Sequence, residues 1–314
     1  MKNSIPLFYH PIRKILLDDD NTFTQSVLLK MHGKYFSGIN SITEGLKFLS
    51  EEYKPKISKH HLISLAPTLF DPLRTYTLNT KFEKNDKNIF ENFRDDISIL
   101  FIDYHMPDMN GLDFLKKIKE SPIKKVLITS EHDYTIAIDA FNNGIIDGYL
   151  RKDAPDFLIK LQHITSELEW AYFTDLCKII SDLPEFDYLK NSDFIKFFID
   201  FITNKNITDF YLTDKQGAFC TYNAAGVKEY FIIRNTTQLQ QLSDFAADDG
   251  ASEKTINDLS KAKAVPFFNF KEHWEIPANE WESYLYSANE LPGDPDFLWA
   301  TVKPDLSSFS NDGN

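Results

Sequence analysis

Short apolar runs recur through the first half of the chain, and each stops at a polar residue. Ile15, Leu16 and Leu17 end in Asp18, Asp19 and Asp20. Ile99, Leu100, Phe101 and Ile102 end in Asp103. Val126, Leu127 and Ile128 end in Thr129 and Ser130, while Tyr149 and Leu150 lead to Lys152. Runs this short, rich in β-branched and aromatic residues and without alternation, predict strands buried on both faces of a parallel sheet. KYFSGIN, 34–40, and TEGLKFLSEE, 43–52, supply one further strand and its helix. A residue where a strand stops and a loop opens lies at the edge where open α/β sheets bind ligands. One such residue is weak evidence. Acids, acid, hydroxyl and cation, each closing a strand in a βα pattern, form a constellation.

Adjacent carboxylates repel one another, so the acids at 18–20 point to a nearby cation. The same residues serve a local purpose, since Asp20, Asn21 or Thr22 can cap the helix that follows. Both readings hold together if one acid caps while two face the cleft.

These motifs resemble the receiver domain of two-component response regulators, over roughly residues 11–165. The shared features are the Asp pair after the first strand, the D-x-x-M-P-x-M-x-G run from Asp103 to Gly111, Thr129 after the fourth strand, and G-Y-x-x-K ending at Lys152. The resemblance implies a flavodoxin-like, doubly wound (βα)5 fold with Asp103 as phosphoacceptor. It implies an Mg²⁺ site made by Asp19, Asp103 and the backbone carbonyl of His105, with Asp18 acting through water. Thr129 and Lys152 would hold the phosphoryl oxygens, and Tyr149 would turn inward when Thr129 is drawn to them. A sensor histidine kinase or phosphotransfer protein is the implied partner. The chemistry is sound on its own terms. A carboxylate can act as a nucleophile toward a phosphoryl group, whose charge lies on three equatorial oxygens. Mg²⁺ takes octahedral oxygen ligands and keeps several waters. The added charge of about −1.5 to −2 biases a two-state loop.

Three departures stand out. Members of this family commonly carry Pro after the lysine, often with a cis bond, where this chain has Asp153. A cis bond here would cost roughly 2.5–4 kcal/mol, so a trans or a strained bond is expected, with Asp153 a candidate cap for the next helix. His105 and Glu131 stand two residues past Asp103 and Thr129. In this family those places flank the path of attacking water, which the resemblance implies for His105 and Glu131; the alternative is two ordinary loop side chains. Finally, a large insertion, about 53–96, precedes the third strand. Pro55, Pro67 and Pro72 argue against one continuous helix there, although KNIFENFRDD, 87–96, reads as an amphipathic helix. A loop of this length is functional or disordered, and a folded subdomain or partner-contact flap is favoured. His60-His61 lacks further ligands nearby and reads as a solvated pair.

From Pro155 to Asp182 there is no Gly or Pro, and apolar residues recur every three or four positions. This predicts a linking helix over 155–183 spanning roughly 40 Å. It either packs partly on each domain or forms an intermolecular coiled coil. Beyond it, 185–305 reads as an α+β output domain with a mainly antiparallel sheet. DFIKFFIDFI, 193–202, is a helix capped by Ser192 or Asp193. TDFYLTD, AFCTYN and EYFIIRN form a meander through turns at Gly217 and Gly226. Thr236 or Thr237 caps a helix ending at Gly250, and Ser252 caps another. AVPFFNF, WESYLYS and DFLWATV are further strands, and 306–314 is a disordered tail.

Composition narrows the function. The 314 residues fit two domains, and the formal charge is −13. Residues 191–314 hold ten Lys/Arg against nineteen Asp/Glu, and no helix pair carries a basic second helix. Direct DNA binding is therefore disfavoured. There is no P-loop, zinc cluster or G-x-S-x-G, so no enzyme activity is indicated beyond the receiver's own phosphorylation and dephosphorylation. No apolar stretch predicts a signal or a membrane span, and Cys177 and Cys220 read as reduced packing residues of a cytoplasmic protein. Two functions follow. In one, phosphorylation switches homodimerisation or partner contact of the output domain. In the other, the receiver gates a small-ligand or nucleotide site. The layout, a receiver interrupted before its phosphoacceptor strand and followed by an output of no common class, also resembles response regulators of quorum sensing.

Overall fold

The structure, a computed structural model, describes residues 2–31, 35–53, 95–130, 134–214, 216–268 and 273–303. Most of the insertion, including its proposed helix and the His60-His61 pair, lies outside them, as does the tail. Among the described residues the chain forms two units. One holds 11–53 and 95–177; the other holds 3–10 and 178 onward.

The chain opens with a two-residue strand, β1 (Phe8–Tyr9), which belongs to the second unit. The first unit then runs β2 (Arg13–Leu17), α1 (Asn21–Lys30), β3 (Phe36–Ile39) and α2 (Ile42–Lys47). A π-helical turn, Phe48–Glu52, follows α2. After the insertion come β4 (Ile97–Asp103), α3 (Gly111–Lys117), β5 (Lys124–Thr129), α4 (Tyr134–Asn142), β6 (Gly148–Arg151) and α5 (Phe157–Ser181). The five strands are parallel in the order β3-β2-β4-β5-β6, the doubly wound order. Alternate strand residues feed two cores. Ile15, Leu17, Leu100, Ile102 and Leu127 meet α2, α3 and α4 through Ile42, Phe114 and Ala137. Leu16, Ile99, Phe101, Val126 and Ile128 meet α1 and α5 through Val27, Phe157 and Leu161. All seven residues of β4 are buried, which explains its unbroken apolar run.

The insertion leaves and returns at one place. Tyr53 accepts a hydrogen bond from the backbone N–H of Ile97 at 3.1 Å, which joins the two described ends of the insertion. Lengthening a surface connection costs little once its ends are fixed.

Helix α5 is held by the parallel-sheet unit well past its first turns. Glu169 forms a buried ion pair with Lys14 and accepts from the N–H of Ile12 at 3.2 Å. Lower down, Asp175 meets Lys124 at 2.5 Å.

The second unit begins with a 3-10 turn, Pro184–Lys190, and α6 (Ser192–Asn204). Next come β7 (Ile207–Asp214), β8 (Ala218–Asn223), β9 (Lys228–Asn235), α7 (Thr236–Asp248) and α8 (Glu253–Ser260). They are followed by β10 (Ala264–Pro266), β11 (Leu285–Ser287), β12 (Asn289–Leu291) and β13 (Asp294–Val302). Six strands make an antiparallel sheet in the order β1-β7-β8-β9-β13-β12, and β10 pairs with β11. Phe198 packs 4.9 Å from Phe219, and Phe201 packs 4.8 Å from Phe231. On the alternate side of β9, Tyr230 meets Phe267 at 4.8 Å.

Several local expectations need correction. Asn191, not Ser192 or Asp193, caps α6 by accepting from the N–H of Phe194. Asn235, rather than Thr236 or Thr237, caps α7, in a reciprocal box with Gln238. Asn competes with Asp and Ser for this position because its carbonyl reaches the same orphan donors. Most of WESYLYS is a 3-10 turn, Ala278–Tyr284, because buried Trp281 donates to the carbonyl of Ile276 at 3.0 Å and pins that turn.

Candidate functional site

At the carboxyl edge of the parallel sheet, β2, β4, β5 and β6 deliver their last residues to one cleft. Asp18 follows β2 and is fully buried; Asp103 closes β4 and is buried. Asp19 is exposed, and carboxylate oxygens of Asp18, Asp19 and Asp103 lie within 4.8 Å of one another. Asp20 turns away to cap α1, accepting from Phe23 N–H at 3.0 Å. The three consecutive acids thus divide as their positions allow: two toward the cleft, one to the helix.

Lys152 reaches across from the turn after β6. Its ammonium lies 2.7 Å from Asp18 and 2.9 Å from Asp103. Its backbone N–H donates to the carbonyl of Thr129 at 3.0 Å, which ties the hydroxyl-bearing residue to the cation-bearing one. Thr129 itself is buried. The Asp18 carboxyl is raised above its usual range, first by burial, with Lys152 opposing. Burial works to lower the Lys152 ammonium, but its bonds to Asp18 and Asp103 outweigh this and hold it high.

The loop after Asp103 is shaped by close approach. Gly111 N–H donates to Tyr104 O at 2.9 Å, and Tyr104 N–H donates to Ile128 O at 2.8 Å. A methyl group on Gly111 would lie 2.1 Å from the carbonyl oxygen of Asp103, a distance no side chain tolerates. The terminal Gly of the Met-Pro motif is therefore a steric requirement of the backbone at Asp103. Asp108 turns the loop at φ 72°, a region sparsely used by non-glycine residues.

Tyr149 lies on β6, half-buried against the core shared with α2, α3 and α4. His105 is exposed, its ring edge-on to Tyr104. Glu131 lies outside the described residues. The peptide bond at Asp153 is trans, as are all described ones. Asp153 takes the Arg151 guanidinium at 2.6 Å, and α5 starts at Phe157, so Asp156 occupies the cap position. Two contributors escaped the strand-end pattern. Asn40 donates to the carbonyl of Asp18 at 2.8 Å, and the ring of Phe23 lies 4.8 Å beneath the Lys152 ammonium. Asn40 ends its own strand run and could have been read that way; Phe23 lies on a helix face and carries no such sign.

Hard oxygen donors on three carboxylates suit a small divalent cation. The cluster of Asp18, Asp19 and Asp103 therefore fits the Mg²⁺ that receiver domains generally bind.

Residues 73–162 match the family model described as response regulator receiver domain. The match takes in Asp103, Thr129, Tyr149 and Lys152 and stops short of Asp18 and Asp19. The chain carries a response regulator receiver domain. Over nearly its whole length it is similar to the Legionella pneumophila response regulator LqsR, at 25% identity. That likeness covers 97% of this chain and 91% of LqsR, with a TM-score of 0.77. Two other solved structures are similar in part. An adenylate cyclase from Rhodopirellula baltica has 16% identity, 55% of this chain and 98% of that one covered, and a TM-score of 0.36. The signal receiver domain of an HD domain-containing protein from Pseudomonas fluorescens Pf-5 has 14% identity, 53% and 93% covered, and a TM-score of 0.36. Scores that low bear on neither fold nor function. No curated protein matches the chain.

The second unit has a cleft of its own, of about 680 Å³, whose lining includes Tyr188, Asn191, Gln216, Asn235, Gln238 and Phe297. Among the described residues no helix is long and apolar enough to cross a membrane.

Proposed function

We propose that this protein is a cytoplasmic response regulator that takes a phosphoryl group on Asp103 from a sensor histidine kinase or phosphotransfer protein. The observation that carries this is the placement of Lys152 between Asp18 and Asp103, beside buried Thr129. One carboxylate is thereby left beside a fixed positive charge and an acidic pair. Asp18, Asp19, Asp103 and the backbone carbonyl of His105 would hold Mg²⁺, which when bound neutralises charge on the transferred group. Asp103 supplies the nucleophilic oxygen. Lys152 takes one phosphoryl oxygen as its bond to Asp103 loosens, and the Thr129 hydroxyl donates to another. Thr129 moves only when that oxygen is present, and Tyr149 follows into the space vacated. His105 and Glu131 set the access of water and so the lifetime of the phosphoryl group. The switch is read out through α5 as homodimerisation or partner contact of the output unit, without direct nucleic-acid binding. The shared layout with LqsR over both units supports a place in quorum sensing.

The test is Asp103→Asn in the full chain, with Mg²⁺ and acetyl phosphate and intact-mass detection. The parent gains one phosphoryl group; the variant gains none. Modification of the variant to the parent's extent overturns the assignment. Omitting Mg²⁺ should suppress uptake in the parent.

The cleft at Tyr188 and Phe297 favours a second reading, in which the output unit binds a small ligand or nucleotide and the receiver gates it. Thermal-shift screening of the full chain against nucleotides separates the two: a shift removed by Gln238→Ala supports the second reading, and uniform silence counts against it.

A further inference from the structure

The output unit exposes two large aromatic side chains at one place. Phe245 on α7 is 50% exposed and Trp274 is 57% exposed. The ring of His273 lies 4.9 Å from Phe245 and 4.8 Å from Trp274, so the three form a continuous surface. His273 in turn stands edge-on to Trp281, at 5.8 Å and 89°, and Trp281 is fully buried. The exposed rings are thus seated on the core rather than hanging in solvent. Single exposed apolar residues need no explanation, but contiguous aromatics on a rigid base are the material of interface hot spots.

Among the described residues, the charges that follow Phe245 along α7 have one sign. Asp248 and Asp249 follow Phe245 by three and four positions, which places them on its side of the helix. They sit at the carboxyl end of α7, where the helix dipole is already negative and cations are favoured. The last turn of α7 holds no basic residue, and no Lys or Arg occurs from Thr236 to Glu253. Lys254, the next cation, is engaged by Glu282 at 2.5 Å. Asp249 is close enough to act on His273: burial lowers the imidazole pKa, and Asp249 works against that fall.

We propose that Phe245, His273 and Trp274, with Asp248 and Asp249, form a docking surface for a basic amphipathic segment of a partner protein. Its apolar side chains cover the rings, while Lys or Arg meets the two carboxylates and the last carbonyls of α7. Charge complementarity selects this occupant. Nucleic acid and anionic lipid carry the wrong sign, and a second copy of this chain brings a formal charge of −13. The inference rests on no part of the phosphoryl chemistry.

The probe is a fluorescein-labelled amphipathic helix of Lys and Leu, read by anisotropy against the full-length protein, with a Glu–Leu helix of the same pattern as control. Phe245→Ala with Trp274→Ala, and separately Asp248→Asn with Asp249→Asn, should each weaken binding about ten-fold. The acidic pair's effect should shrink at high salt. Glu290→Gln with Asp296→Asn removes the same charge elsewhere on this unit and should leave binding unchanged. Circular dichroism should show all three variants folded, because the altered side chains are exposed. The proposal is overturned if the Lys–Leu helix does not bind, if the three variants bind it alike, or if the Glu–Leu helix binds equally. It is also overturned if sedimentation shows the parent self-associating through this face and the Phe245/Trp274 variant monomeric.

Discussion

In the parallel sheet all five strands point the same way, so β2, β4, β5 and β6 bring Asp18, Asp103, Thr129 and Lys152 to one edge. In the antiparallel sheet neighbouring strands point in opposite directions, and their ends are shared between two edges. Its polar strand ends are used locally instead: Asp214, closing β7, accepts from Gly217 and Ala218 in the turn that follows, and Asn235, closing β9, caps α7. The cores differ in the same sense. Aliphatic side chains dominate both faces of the parallel sheet, whereas Phe194, Phe198, Phe201, Phe210, Phe219 and Phe231 are all buried in the second unit. Parallel strand direction thus gives the first unit one edge at which polar strand ends far apart in sequence meet.

Four substitutions probe that contrast, with hydrogen exchange following the two units separately. Phe198→Ala should be the most damaging. It removes a fully buried ring in contact with Phe194, Phe210, Phe219 and Phe231, at about 3–5 kcal/mol. Protection should fall in the second unit, while phosphoryl uptake on Asp103 persists. Uptake lost in parallel with protection would mean that the units do not fold independently.

Lys14→Met comes next. It strands Glu169 in a buried site and should cost the first unit about 3–5 kcal/mol, much of it recovered in the double variant Lys14→Met with Glu169→Met. Absence of recovery would show that the pair sets the position of α5 rather than only balancing charge. Gly111→Ala forces the loop off the Asp103 carbonyl and should cost roughly 1–3 kcal/mol by overpacking. Its more telling effect is a loss of phosphoryl uptake larger than the stability change accounts for. A normal uptake rate would show that the loop can shift without moving Asp103.

The smallest effect is expected from Arg151→Ala. Its ion pair with Asp153 is partly exposed, and such pairs contribute about 0–1 kcal/mol. Thermal unfolding should barely change; a large loss would show that the pair takes over the rigidifying role of a proline at 153.

Much of the first unit was legible residue by residue. Leu17-Asp18, Ile102-Asp103 and Ile128-Thr129 announce strand ends because a buried run must stop where a polar side chain meets the loop. The second unit's meander was equally plain from its turns. Less visible were features that depend on partners distant in the chain. Phe8 and Tyr9 are too few to show a period, yet they pair with Tyr211 and Phe210 at the edge of the second sheet. Lys14 looks like a surface residue at the start of a strand until Glu169 is brought against it from 155 positions away. The exposure of Phe245 and Trp274 likewise has no local sign in the sequence.

Taken alone, the order of residues determined which polar side chains close the parallel strands, because strand ends are local properties of short apolar runs. It also determined that the second half would be antiparallel, since turn glycines reverse the chain within a few residues. The tertiary structure decided the rest: the return of the N-terminus to the second sheet, the burial of Lys14 with Glu169, and the acidic aromatic surface at the end of α7. Each depends on contacts between segments far apart in sequence, whose free energy is realised only once the whole chain is packed.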